Sequence, residues 1–352
     1  MRVRFWLFGL LLGSSLIGCQ RPTESFWRGS EAPKLYPAHI ETADGAVLPL
    51  EASVWPSGRD PKAILLALHG FNDYRRAFVH LAEPLKDRGI LLMAYDQRGF
   101  GGSPQTGRWA GSEVYAADLR TILLAIHRRY PSVPLFVLGE SMGAAIVIKG
   151  LKGRPLRGLK GVILSAPALW SRDTMPWYQS SLLAVAAGLL PELTLTGRGL
   201  GIQASDNRAM LSALGRDPWV IKATRVDAMA GLTDLMDEAQ MSLGALEVPT
   251  LVLYGLRDQI IPWVPVVRAL RTAQGVPLLR LAIYPKGYHL LLRDLGRSKP
   301  LQDVLAFIED PKASLPSGCE QAVLDLKEEV FPREGPNGPD DPDCRLPRGP
   351  EE

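Results

Sequence analysis

A serine flanked by glycines, lying between an apolar run and a helix-forming segment, constrains the fold of this chain more than any other feature. The pentapeptide Gly139-Glu140-Ser141-Met142-Gly143 directly follows Leu135 to Leu138, which has the pattern of a buried strand. A serine on a sharp strand-to-helix turn needs small neighbours, because the tight backbone crowds side chains at the glycine positions. The helix N-terminus behind it favours developing negative charge. The pattern therefore predicts a nucleophilic Ser141 on an α/β fold.

Apolar strand-like runs alternate with helical patterns on both sides of this turn. Such alternation predicts a mostly parallel sheet with helices on its faces. One of the helices is predicted to begin with Ser112 as its N-cap. The predicted strands are Ala63 to Leu68, Ile90 to Tyr95, Leu135 to Leu138, Gly161 to Ser165, Thr250 to Tyr254 and Leu279 to Tyr284, and a last helix is predicted near Leu301 to Ile308.

The predicted core consists of residues 39–167 and 248–310, separated by an insertion. Residues 168–247 contain helical stretches but no clear strand, which predicts a helical cap over the site. Its apolar residues, including Met175, Trp177, Tyr178 and the run Leu182 to Leu190, suit contact with an acyl chain or a membrane. Residues 311–352 are rich in Pro, Gly and acidic residues, and predict a loosely ordered tail.

Two further residues are candidates to activate the serine. A serine hydroxyl is a weak nucleophile near neutral pH, so it needs an imidazole to take its proton and a carboxylate to orient that imidazole. Asp258 stands four residues after the strand Thr250 to Tyr254, and His289 follows the last strand. Both lie at strand ends on the side of the sheet where Ser141 is expected. The predicted triad is therefore Ser141, Asp258 and His289.

The segment His69-Gly70-Phe71 ends the first predicted core strand. In a sheet of this kind, the loop after that strand supplies one backbone N–H of an oxyanion hole, and the residue after the nucleophile supplies the other. These donors are predicted to be Phe71 and Met142. We expect His69 to pack and hydrogen-bond beneath the hole rather than to act as the base.

Composition argues against other classes of protein. The chain has 40 Lys and Arg against 37 Asp and Glu, scattered rather than gathered on one face, so nothing indicates a nucleic-acid partner. The three cysteines, Cys19, Cys319 and Cys344, include no CxxC pair, so no metal site is predicted. In an oxidising compartment Cys319 and Cys344 would form a disulfide; the alternative is two free thiols.

The N-terminus has the pattern of an export signal, with Arg2 and Arg4 before an apolar stretch from Phe5 to Ile17. At ~1.5 Å per residue this stretch covers roughly 20 Å, too little to span a bilayer. Leu16-Ile17-Gly18-Cys19 resembles the lipobox of bacterial lipoproteins. The resemblance implies a signal over residues 1–18, a lipidated Cys19, a tether over 19–38, and an exported protein held at an envelope membrane. The alternative is an ordinary signal peptide that contains a cysteine.

Several motifs together resemble the monoacylglycerol lipase and lysophospholipase branch of the α/β-hydrolases. They are His69-Gly70, Tyr95-Asp96-Gln97-Arg98-Gly99-Phe100-Gly101-Gly102-Ser103, the pentapeptide around Ser141, Asp258 and His289. The resemblance covers roughly residues 40 to 310. It implies an α/β-hydrolase fold, a carboxylic ester substrate with an acyl chain, and no cofactor. That branch usually has His where Gln97 stands, a change we expect to be tolerated because this segment shapes a turn.

Two alternatives remain open at the level of sequence. A serine peptidase of the proline iminopeptidase type shares the fold and triad, and needs acidic cap residues to hold a substrate amino terminus. The insertion offers Glu192, Asp206, Asp217, Asp227, Asp234 and other acidic residues. A non-catalytic envelope binding protein would tend to lose triad members, whereas this chain keeps a candidate for each. The sequence predicts neither the natural ester nor the oligomeric state.

Overall fold

The computed structural model describes residues 37–41, 47–197, 199–273, 275–323 and 344. Its strands are β1 (Pro37–Glu41), β2 (Val47–Trp55), β3 (Ala63–Leu68), β4 (Ile90–Tyr95), β5 (Leu135–Glu140), β6 (Leu159–Ser165), β7 (Thr194–Thr196), β8 (Ala223–Arg225), β9 (Thr250–Gly255), β10 (Leu279–Tyr284) and β11 (Glu320–Gln321). Its helices are α1 (Ala82–Asp87), α2 (Ser112–Arg129), α3 (Met142–Leu151), α4 (Trp177–Leu189), α5 (Arg208–Arg216), α6 (Val226–Ser242), α7 (Trp263–Thr272) and α8 (Ser298–Glu309).

The main sheet has the strand order β1-β2-β4-β3-β5-β6-β9-β10-β11. The six strands from β4 to β10 in this order are parallel. At one edge β2 pairs antiparallel with β4 and β1 pairs antiparallel with β2, and at the other edge β11 pairs antiparallel with β10. The chain reverses its direction across the sheet between β3 and β5, which are hydrogen-bonded neighbours. Sites in open α/β sheets form at the carboxyl ends of strands beside such a reversal. This is the α/β-hydrolase fold that the sequence predicted.

The sheet lies between two apolar layers. Successive residues of β5 point to opposite faces, as a strand requires: Leu135 and Val137 enter one layer, and Phe136 and Leu138 enter the other. The first layer includes side chains of α2, α3, α6 and α7, and the second includes those of α1 and α8. Burial on both faces explains why the parallel strands appear in the sequence as continuous apolar runs.

The insertion differs from the purely helical cap that the sequence predicted. Residues 168–247 contain β7 and β8, which pair antiparallel with Leu195 opposite Thr224. Three-residue strands are too short to produce an alternating pattern in sequence. The last helix of the insertion, α6, buries Leu235 and Ala239 in the same apolar layer as α2 and α3. Only part of the insertion is therefore separate from the core.

The segment after α8 also differs from the loose tail that was predicted. Glu320 and Gln321 add a strand to β10, and Leu315 and Cys319 are buried. A disulfide joins Cys319 to Cys344, whose Cα atoms lie 4.8 Å apart. The segment is fixed by these contacts although it contributes few apolar residues. The rest of the predicted tail, residues 324–343 and 345–352, lies outside the described residues.

The predicted signal, Cys19 and the tether up to residue 36 also lie outside the described residues. Pro37, which the sequence assigned to the tether, begins β1, and His39 is part of that strand. Within the described ranges, no helix combines the length and apolarity needed to cross a bilayer.

Candidate active site

Ser141 occupies the sharp turn between β5 and α3. Its backbone has φ +53° and ψ −114°, a conformation that is unfavourable for a residue with a side chain and is typical of functional sites. Its N–H donates to the carbonyl of Ser165 on β6 at 2.9 Å. A Cβ at Gly143 would lie 2.2 Å from the carbonyl oxygen of Leu68, and one at Gly139 would lie 2.4 Å from the nitrogen of Ala144. The turn therefore requires both glycines of the pentapeptide.

Asp258 and His289 form a buried pair at the same edge of the sheet. The Nδ1 atom of His289 lies 2.7 Å from Oδ2 of Asp258. The other carboxylate oxygen of Asp258 accepts hydrogen bonds from the N–H groups of Ile260, at 2.7 Å, and Ile261, at 3.0 Å. Because an ionised carboxylate only accepts hydrogen bonds, Nδ1 carries a proton, and in the neutral imidazole the lone pair is therefore on Nε2. This is the tautomer that a general base needs.

The pKa of His289 is the resultant of opposing effects. Burial lowers it, but the charge of Asp258, the hydrogen bond to Asp258 and the charge of Glu140 outweigh burial, so that the pKa is raised above its ordinary value of 6.5. Glu140 immediately precedes Ser141 in the chain. The base and the turn of the predicted nucleophile are thus electrostatically coupled.

The helix and the loop that carry the two predicted oxyanion donors adjoin Ser141. Met142 is the first residue of α3, so its N–H has no acceptor within the helix. A Cβ at Gly70 would lie 3.3 Å from Cβ of Ser141, which places the loop that carries Phe71 against the serine turn. The ring of Phe71 packs edge-on against Phe100, with the ring centroids 5.6 Å apart. The arrangement can direct backbone N–H groups toward an ester oxygen bound at Ser141.

His69 holds the loop below this site. Its Nδ1 lies 2.8 Å from the carbonyl oxygen of Gly70, and its Nε2 accepts a hydrogen bond from the N–H of Gln97 at 3.0 Å. The Gln97 side chain donates in turn to the carbonyl of His69 at 2.8 Å. Burial lowers the pKa of His69. Both ring nitrogens of His69 make hydrogen bonds, which agrees with the expected packing role. Gln97 holds the turn at the position where the lipase branch usually has histidine.

Sequence reasoning missed a buried charged group beside the site. The guanidinium of Arg293 lies 2.7 Å from a carboxylate oxygen of Asp73 and 2.5 Å from one of Glu140. A signal was present, because Arg293 ends the apolar run Leu290 to Leu292 that directly follows His289. Its partners are 220 and 153 residues away in sequence, so no local pattern identifies them.

The insertion contacts three of the loops that carry site residues. Asn72 donates to the hydroxyl of Thr224 at 2.7 Å, and its carbonyl accepts from the N–H of Ile221 at 2.9 Å. The N–H of Leu290 donates to the carbonyl of Ala204 at 2.9 Å. In the loop of Asp258, the side-chain oxygen of Gln259 accepts from the N–H of Gln203 at 3.1 Å. These contacts tie the cap to the loops of Phe71, His289 and Asp258.

Comparisons with known proteins point to one group of enzymes. The chain is 28% identical over 273 residues to a monoacylglycerol lipase of Mycolicibacterium smegmatis, covering 72% of this chain and 91% of the relative. It is 28% identical over 290 residues to the mouse monoglyceride lipase, covering 80% of this chain and 93% of the relative.

Among solved structures, a soluble variant of the monoglyceride lipase of Saccharomyces cerevisiae in complex with a substrate analogue has a TM-score of 0.67 at 19% identity. The match covers 82% of this chain and 98% of the yeast chain, and shows that the fold is shared. Residues 59–296, about two thirds of the chain, match the Hydrolase_4 family, described as serine aminopeptidase, S33. The chain therefore belongs to this family of α/β-hydrolases.

Proposed function

We propose that this chain is a serine hydrolase that cleaves the carboxylic ester of acylglycerols, with Ser141 as nucleophile, His289 as general base and Asp258 as the residue that orients it. The observation that carries the proposal is the buried Asp258–His289 pair at the sheet edge where Ser141 occupies its strained turn. The names of the similar proteins, monoacylglycerol and monoglyceride lipases, support the substrate class.

In the proposed reaction each of these groups has one role. Nε2 of His289 takes the proton of the Ser141 hydroxyl while the serine oxygen attacks the ester carbonyl carbon. The N–H groups of Phe71 and Met142 donate hydrogen bonds to the resulting oxyanion. Collapse of the intermediate expels the alcohol, which receives the proton from His289. A water molecule, deprotonated by His289, then attacks the acyl-enzyme, releases the acid and restores the Ser141 hydroxyl.

Helix α4 of the insertion supports a lipid substrate. It carries no charged residue, and Trp177 and Leu189 are 78% and 75% exposed. Tyr178, Leu182 and Val185 of the same helix are exposed as well. Exposed apolar residues grouped on one helix usually mark a binding surface. The uncharged helix suits a substrate whose acyl chain is delivered from an apolar phase.

The acidic residues of the insertion favour an ester over a peptide substrate. An aminopeptidase would need carboxylates that face the substrate amino terminus, but the five acidic residues named in the sequence analysis already contact partners within the protein. Glu192 and Asp227 pair with Arg225, Asp234 pairs with Arg172, Asp217 accepts from the hydroxyl of Tyr74, and Asp206 accepts from the N–H of Leu295.

We also propose that the enzyme is exported and anchored by lipidation of Cys19. The proposal is based on the sequence Leu16-Ile17-Gly18-Cys19 after a charged and then apolar N-terminus. Anchoring would hold the enzyme at a membrane surface, where acylglycerols partition.

The substrate class is tested with the full-length chain in mild detergent. Hydrolysis of monoacylglycerols and p-nitrophenyl esters of increasing acyl length is compared with cleavage of aminoacyl p-nitroanilides, with Ser141→Ala as the control. We expect ester hydrolysis that favours longer chains and disappears in the variant. Cleavage confined to the anilides would replace the proposal with a peptidase, and activity that survives in Ser141→Ala would remove the assigned nucleophile.

A further inference from the structure

The buried guanidinium of Arg293 joins two carboxylates from distant parts of the chain. Its side chain is 5% exposed and contacts Asp73 at 2.7 Å and Glu140 at 2.5 Å. The Glu140 side chain is 2% exposed. A planar guanidinium can donate to two carboxylates in fixed directions, which a lysine ammonium does not reproduce. The three side chains form what we term the Arg293 cluster.

Each member of the Arg293 cluster belongs to a segment that carries a proposed active-site group. Asp73 lies two residues after Phe71, Glu140 directly precedes Ser141, and Arg293 lies four residues after His289. The cluster therefore spans the oxyanion loop, the nucleophile turn and the loop of the base. These three segments must keep their relative positions within a fraction of an ångström for catalysis, because a displacement of about 1 Å can cost roughly 100-fold in rate.

Stability alone is a poor explanation for such a cluster. Removing charges from water is unfavourable, and a buried ion pair is often no more stabilising than apolar residues of similar volume. The surrounding core is well supplied with apolar residues, since Leu291 and Leu292 beside Arg293 are both buried. The polar arrangement is better explained by the groups that it positions.

The charges of the cluster also act on His289. The negative charge of Glu140 raises the pKa of His289, whereas the positive charge of Arg293 lowers it. Burial raises the pKa of Glu140 itself, and the guanidinium of Arg293 opposes that rise. The charge of Glu140 favours the imidazolium that forms when the base accepts the serine proton.

We propose that Arg293 and Glu140 are positioning residues for the hydrolysis proposed above. Arg293 fixes the loop of Phe71 against the turn of Ser141. Glu140 stabilises the protonated form of His289 during acyl transfer. The inference rests on the proposed function, and Ser141→Ala separates the two: activity that survives in Ser141→Ala overturns the function, whereas the variants below test the cluster in an enzyme that depends on Ser141.

The charge of Glu140 is tested by the pH profile of Glu140→Gln, which keeps the shape of the side chain. Because the substitution removes an interaction that raises the pKa of His289, the fall of kcat/KM on the acidic side moves to lower pH. A substitution that only loosened the structure would lower the rate without moving this limb. An unchanged limb in a folded Glu140→Gln enzyme overturns the role of the charge.

The geometric role is tested by Arg293→Lys, which keeps the charge but not the two-carboxylate geometry. We expect kcat to fall by about 10- to 100-fold, with KM changed by less than about threefold, and the acidic limb to stay in place. Arg280→Lys is the matched control, because the Arg280 side chain is 7% exposed and binds both oxygens of Glu320 near the start of β10. Thermal unfolding of each variant reports its fold.

The two arginine variants together test whether Arg293 positions the active-site loops. The proposal predicts that both substitutions lower the unfolding temperature and that only Arg293→Lys lowers kcat. If Arg293→Lys retains the kcat of the parent enzyme, or if Arg280→Lys loses as much, Arg293 has a structural role alone and the proposal is overturned.

Discussion

Asp258 determines which nitrogen of His289 carries the proton. Asparagine at this position keeps the shape but offers an amide that can donate to Nδ1 and so place the proton on Nε2. We expect Asp258→Asn to lower kcat by about 10³- to 10⁴-fold with little change in stability, measured with a soluble p-nitrophenyl ester. Asp87→Asn, at the exposed end of α1, is the control and should retain full activity. A loss in Asp258→Asn that is no larger than the control's would contradict the assignment.

The raised pKa of His289 has a direct kinetic consequence. The base works only when neutral, so kcat/KM falls as the pH drops through the pKa of His289 in the free enzyme. Since that pKa is raised from 6.5 by the balance of burial against Asp258 and Glu140, the midpoint of the acidic limb should lie above 6.5. A pH-rate profile for a neutral ester measures it. A midpoint below 6.5 would show that the interactions with the two carboxylates do not outweigh burial.

The individual site residues were predictable to different degrees. Ser141 lies in a short motif whose two glycines are required by the tight turn. Asp258 and His289 follow strands whose apolar runs are easy to find. The contact between Arg293, Asp73 and Glu140 was not predictable, because it depends on side chains that the fold brings together from three separate segments of the chain. A charged residue at the end of a buried apolar run is a signal of such a contact, but it does not identify the partners.

At the scale of elements, the turn between β5 and α3 depends on the lack of side chains at its glycines. A Cβ at Gly143 would meet the backbone of Leu68 at 2.2 Å, and backbone cannot move aside cheaply. We expect Gly143→Ala to lower the free energy of unfolding by about 1–3 kcal/mol, measured by urea denaturation, and to reduce activity. Gly188→Ala is the control, because the space around Gly188 in α4 is open and alanine favours a helix. Equal stability of both variants would contradict this account of the turn.

The elements that the sequence predicted well are those buried on both faces. The bounds of β3, β4 and β10 agree with their apolar runs, because continuous burial leaves a continuous signal. The elements that the sequence did not predict have weaker apolar patterns. The strands β7 and β8 are three residues long, and β11 is held by pairing with β10 and by the Arg280–Glu320 ion pair rather than by apolar residues.

At the scale of the whole molecule, the proposed lipid anchor predicts where the enzyme resides in a bacterial host. Cys19→Ser removes the only thiol in the segment that resembles a lipobox. We expect the parent chain to incorporate labelled palmitate and to sediment with membranes, and the variant to lose the label and most of its membrane association. Cys344→Ser controls for the loss of a cysteine and should keep the label. Equal labelling of the parent chain and Cys19→Ser would contradict anchoring at this residue.

All the proposed chemistry of the site requires that Ser141 is the nucleophile of an ester hydrolase. The most direct measurement is peptide mapping by mass spectrometry after treatment with a fluorophosphonate, in which an activated serine oxygen displaces fluoride and forms a stable phosphonate ester. The account predicts one adduct, on the peptide that contains Ser141, formed in step with loss of ester hydrolysis and absent from Ser141→Ala. An adduct on another residue that accounts for the lost activity, or full inhibition with Ser141 unmodified, would contradict it.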